Sequence, residues 1–188
     1  MAIHPEIERL LIGLDAAERD ARGLVDGLSE DQGRWRETPG SWSVAECLDH
    51  LATASRVYLE AMRPAAEHAQ HVGKLRTRPA LPGLVGAWFV NQLEPPVKSR
   101  LRAPAQIRPK PSPRLRESID AFLSEQQRVR DFFRRYSDID LAKVHFRNPF
   151  VRVIRFSLAT GFHVIVAHQR RHLEQAWRVR RAGTLSST

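Results

Sequence analysis

The sequence predicts an all-α protein: an antiparallel four-helix bundle with a proline-rich, basic insertion between its second and third long helices. Two observations predict it. Four long segments place apolar residues at the three-, four- and seven-residue spacing of an amphipathic helix. Between the second and third of them, Pro79, Pro82, Pro95, Pro96, Pro104, Pro109, Pro111 and Pro113 break any long periodic pattern. No internal repeat and no convincing strand pair competes with this reading. Helices with one apolar stripe each must bury those stripes against one another, and a bundle does so. At 188 residues, 42% of them hydrophobic, the chain is long enough for one cored domain over 1–188, with 72–113 as an insertion or flap.

The first helix is expected over 5–29, where Ile7, Leu10, Leu11, Leu14, Ala17, Ala21, Leu24, Val25 and Leu28 form the stripe and Pro5 suits the first turn. A loop over 30–42, with Gly33, Pro39 and Gly40, follows. The second helix starts at Ser43, because Ser43 and Glu46 fit a capping box in which hydroxyl and carboxylate each satisfy an orphan backbone donor. Its stripe reads Val44, Cys47, Leu48, Leu51, Ala54, Tyr58 and Met62, with His50 beside it and pointing into the bundle. A short helix fits 84–93 inside the insertion. The third long helix runs from Ser112 or Pro113 to Tyr136, and residues 139–153 are read as irregular or extended. The fourth covers about 155–181, with a stripe of Leu158, Gly161, Ile165, His168, His172, Ala176 and Val179.

Composition narrows the function. Lys and Arg outnumber Asp and Glu by 30 to 21, a net charge of +9 that favours anionic partners. The single cysteine, Cys47, excludes an internal disulfide. The N-terminal Met1-Ala2-Ile3-His4-Pro5-Glu6 lacks a basic then apolar leader pattern. The most apolar short stretch, 81–90, is too short to span a bilayer. A cytoplasmic protein without a membrane partner is the expectation.

The histidines carry the sharpest signal. His168 and His172 are four residues apart in a helical segment. They therefore share a face, rotated by only about 40°. Two such imidazoles can hold one metal ion, and a third from another helix, His50, would complete the set. Spacing alone favours the plainer reading, two satisfied surface or core histidines on a helix.

The segment Trp42-Ser43-Val44-Ala45-Glu46-Cys47-Leu48-Asp49-His50-Leu51 resembles the W-S-x-x-E-x-x-x-H-L segment of the DinB-like (DinB/YfiT) superfamily. His168-Gln169-Arg170-Arg171-His172-Leu173-Glu174-Gln175 resembles its closing H-x-x-x-H-L-x-Q segment, and Asn148-Pro149-Phe150 falls where many members have a Pro-aromatic turn. The resemblance implies an up-down-down-up four-helix bundle with a divalent metal held by three histidines, here His50, His168 and His172. It also implies the chemistry of known relatives, metal-dependent S-transferases that use a low-molecular-weight thiol (bacillithiol or mycothiol) and a mycothiol-dependent isomerase. The 72–113 stretch has no counterpart in that pattern.

Three imidazoles leave an ion its full charge and at least one open position, a catalytic style of site. Such an ion would lower the pKa of a bound thiol or water, or polarise a carbonyl. Zinc and nickel suit imidazole, and iron and manganese remain open. Glu46, one turn before His50, is a candidate to orient that ring, although its capping role already accounts for it. Gln175, near His172, is a candidate to hydrogen-bond a ligand or substrate. Cys47 reads as a small core residue. His163 is turned roughly 140° from His168 and lies outside the site. His145 is placed in the loop before the last helix, where it could line the cleft. His4, His68 and His71 read as surface residues.

Lys98, Arg100, Arg102, Arg108, Lys110, Arg114 and Arg116 form one basic group, and Arg170, Arg171, Arg178, Arg180 and Arg181 another. They read either as solvated faces or as an electropositive rim that draws a small anionic substrate to the metal. Three functions compete: a metal-dependent transferase or hydrolase, a nucleic-acid-binding module, and a non-catalytic, stress-related helical bundle. No recognised nucleic-acid motif supports the second. Exposed Trp88 and Phe89 would allow a homodimer.

Overall fold

The computed structural model describes residues 4–96, 103–151 and 153–185. Lys98, Arg100 and Arg102 of the first basic group, and Met1-Ala2-Ile3, lie outside them. Six α-helices carry the fold: α1 (Pro5–Val25), α2 (Glu30–Arg34), α3 (Val44–His71), α4 (Leu84–Leu93), α5 (Leu115–Arg135) and α6 (Leu158–Leu185). A single 3-10 turn, η1 (Ala105–Ile107), and two strands, β1 (His145–Arg147) and β2 (Arg155–Ser157), complete the described elements. No helix among them is long and apolar enough to cross a membrane.

α1 and α3 each pack against both α5 and α6. The apolar stripes meet in two core clusters. One is built around Phe133, Tyr136, Phe162, Ile7 and Met62. The other is built around Leu24, Cys47, Leu48, Leu51, Phe122 and Leu173. Phe133 of α5 stacks on Phe162 of α6 at 3.8 Å between centroids. Close packing of α3 on α6 depends on Gly161, because a Cβ there would collide with Met62 Sδ and the Phe146 ring.

The α3 start follows the sequence. Ser43 Oγ accepts the Glu46 N–H at 3.2 Å, and the Glu46 carboxylate accepts the Ser43 N–H at 2.9 Å. Two expectations about the elements need correction. The 30–42 stretch is not all loop: α2 forms because Ser29 and Gln32 make a second capping box. Its Glu30 carboxylate accepts the N–H groups of Leu115 and Arg116, at 2.8 and 3.0 Å, and so caps α5. The chain also has a strand pair, with β1 antiparallel to β2 in the register Phe146↔Phe156. Residues 155–157 are thereby taken from the last helix. That helix begins at Leu158, where Ser157 Oγ accepts the Thr160 N–H at 3.1 Å.

The 72–113 connection is tied to the bundle on several sides. The Glu6 carboxylate accepts the Ala80 N–H at 2.9 Å and pairs with Arg76. Arg170 pairs with Glu94. α4 lies on α6, with Gly86 against Thr160. Phe89 is not the exposed residue expected. Three positions after Gly86 it faces inward, and its ring meets Phe156 at 5.1 Å. Trp88, one residue earlier, is 62% exposed.

Candidate metal centre

His50 is six residues into α3, and His168 and His172 lie one turn apart on α6. The packing of α3 on α6 brings the three rings together. Their centroids are 4.9 Å apart for His50–His168, 4.5 Å for His50–His172 and 4.6 Å for His168–His172. One nitrogen from each ring can be chosen so that all three lie within 4.8 Å of one another.

The proton positions suit ligation. His50 Nδ1 is 2.5 Å from the carbonyl oxygen of Ile107. A carbonyl only accepts, so Nδ1 carries the hydrogen and Nε2 presents its lone pair. His172 Nδ1 donates to Gln175 Oε1 at 3.0 Å, which again frees Nε2. The Nε2 atoms of His50 and His168 are 3.1 Å apart. Two ligands with bonds of roughly 2.0–2.1 Å would span that distance at an angle near 100°, which suits one shared ion.

Burial keeps the rings neutral. Desolvation lowers His50 to about 4, against the opposing pull of its bond to Ile107 and the charge of Asp49. His172 falls to about 3, from desolvation and then repulsion by His50, despite its bond to Gln175. His168 is held well below its ordinary value by desolvation and by both partner rings. The Trp42 ring packs against two of the three, 4.7 Å from His50 and 5.6 Å from His172 between centroids.

Beside the rings opens a cleft of about 1460 Å³. Tyr58, Phe150 and Ile165 give it an apolar wall, while Arg108, Arg171 and Arg178 bring positive charge. Three members of the basic groups, Arg108 from the first and Arg171 and Arg178 of α6 from the second, therefore do face the site. Asn148 and Phe150 of the hairpin line the cleft, whereas His145 is exposed on β1 with its ring on the Lys143 carbonyl.

The remaining candidates separate cleanly. Gln175 meets His172 directly. Glu46 does not orient His50: its oxygens are taken by Arg36, at 2.7 and 2.9 Å, and by the Ser43 N–H. The partner of His50 is instead a main-chain carbonyl from the insertion. Cys47 is fully buried in the core, and burial pushes its thiol far up, so it is no nucleophile. His163 is set away from the cluster, beside Ala80. Ile107 was illegible as a site residue, since the sequence carries no sign of which carbonyl will reach a given ring. Trp42 stood in the motif, but only the fold shows its ring over two histidines.

Comparison with curated proteins and with solved structures finds no match to the chain. A family model described as the DinB superfamily matches residues 13–176. That span holds all three clustered histidines and both motif segments, and the chain belongs to the DinB superfamily.

Proposed function

We propose that this protein is a metal-dependent enzyme in which His50, His168 and His172 hold one divalent cation beside a cleft for a small anionic substrate. One observation carries the reading: three mostly buried, neutral imidazoles from two helices converge within 4.8 Å. Zinc or nickel fits the donor set best, with iron or manganese as further occupants. When bound, the ion supplies Lewis acidity that lowers the pKa of a thiol or water and polarises a carbonyl. That chemistry fits S-transfer from a low-molecular-weight thiol, or hydrolysis.

The chain's own groups divide the remaining work. Gln175 and the Ile107 carbonyl each hold an imidazole N–H and so fix ring orientation. Trp42 packs against the His50 and His172 rings and helps to hold them in place. Arg108 and Arg178 are exposed at the cleft and attract an anion, and Tyr58 and Phe150 offer apolar contact to the rest of the substrate. The long connection between α3 and α5 also supports the family's up-down-down-up path, because neighbouring parallel helices need a link that returns along the bundle. Its ties to Glu6 and Arg170 support one domain over 1–188.

The test begins with elemental analysis of protein purified without a nickel column. One ion per chain is expected, lost in His168→Ala and in His172→Ala. Unchanged metal content in both variants removes the assignment. A screen of thiols with electrophiles and of hydrolysable esters then separates transfer from hydrolysis, and silence in a metal-loaded protein favours a non-catalytic bundle.

A further inference from the structure

Resting on the three-histidine reading above, we propose that residues 103–110 form a clasp that aims His50 at the metal, and that Asp49 is the positioning residue that fastens it. The clasp crosses α3 at η1. Ile107 is 3% exposed, and its carbonyl takes the His50 Nδ1–H. Three residues on, the Lys110 N–H donates to Asp49 Oδ2 at 2.9 Å. Asp49 is itself buried and directly precedes His50, so two adjacent residues of α3 grip the clasp at two points. Between those points Arg108 faces the cleft. One segment thus sets the ring of a ligand and forms part of the substrate wall.

A ligand imidazole keeps its aim through the partner of its other nitrogen, and losing such a partner typically weakens metal binding about 10–100-fold. Here the partner is main chain, so no side-chain substitution deletes it. Its position depends on where the segment is held, and the Asp49–Lys110 bond holds it. The coupling is reciprocal: whatever the closed clasp adds to metal affinity, the metal returns as closure.

The test measures Zn²⁺ affinity by chelator competition and, before metal is added, the tautomer of His50 by ¹⁵N NMR. Asp49→Ala removes the acceptor. Lys110→Pro removes the donor from an exposed position and carries the test if the first variant fails to fold. Asp49→Asn keeps an acceptor oxygen. The wild type is expected to show His50 as the Nδ1–H form alone. Asp49→Ala and Lys110→Pro should mix the two tautomers and weaken Zn²⁺ about tenfold, while Asp49→Asn stays within about threefold of wild type. Wild-type affinity and tautomer in a folded Lys110→Pro protein overturn the clasp and leave the three-histidine reading standing. A wild type that binds none of Zn²⁺, Ni²⁺, Fe²⁺ and Mn²⁺ overturns that reading, and with it the clasp's role.

Discussion

At neutral pH the His50, His168 and His172 rings bear no charge in the folded protein, and that has a measurable consequence. An unfolded histidine titrates near 6.5. In the fold His50 has fallen to about 4 and His172 to about 3. Between those values the unfolded chain binds more protons than the native one, so stability rises with pH. It is complete above about pH 6.5 and drains away as pH drops towards 4, by at most about 1.4 kcal/mol per unit for each ring. Chelator-treated protein should therefore melt lower at pH 5.5 than at pH 7.5, and His50→Gln should flatten that dependence. An equal slope in the variant would contradict the burial argument. Zn²⁺ at one hundred times its dissociation constant should add about 2.7 kcal/mol to the wild type. It should add almost nothing to His172→Ala, as differential scanning calorimetry would report.

Single elements make their own predictions. α4 seats on α6 through Gly86, and a Cβ there would strike the short, branched side chain of Thr160. Alanine is the better helix former by about 0.5–1 kcal/mol. The collision should outweigh it, because Thr160 is held by Ser157 at 2.9 Å and has no flexible end to move aside. Gly86→Ala is expected to cost about 1–3 kcal/mol, read as a lower midpoint in urea. It should also displace Phe89 and Leu93 from the cleft wall. Ser43→Ala breaks the α3 capping box and should cost about 1 kcal/mol, a melting-point fall of about 2–4 °C.

At the scale of the whole molecule the net charge of +9 acts with the arginines of the cleft. Capture of a small anion should weaken as salt is added, since the Debye length is only about 8–10 Å at physiological ionic strength. Arg178→Glu should raise KM for an anionic substrate several-fold and reduce the salt dependence, with kcat little changed. Steady-state kinetics at two salt concentrations checks this, and a charge-insensitive KM would place the substrate's anionic group elsewhere. The exposed run of Leu81, Leu84, Val85 and Trp88 is a separate surface feature.

The sequence by itself determined the four long helices, the Ser43–Glu46 start of α3 and the shared face of His168 and His172, because periodicity, capping and side-chain spacing are local properties of the chain. His50 joined them through the family resemblance, and the packing of α3 on α6 brings its ring to theirs. Gln175 was legible for the same reason, lying three residues after the ring it meets. Glu46 misled because one turn of helix permits several partners, and Arg36, ten residues earlier, takes two of its contacts. The β1–β2 pair stayed hidden because each strand has three residues, too few to show alternation. Only the tertiary structure decided that the Ile107 carbonyl, 57 positions from His50, would hold that ring, and that Trp42 would lie over two of the three. Such contacts form when packed helices and a crossing loop bring distant backbone together, and no residue type encodes where a carbonyl will point.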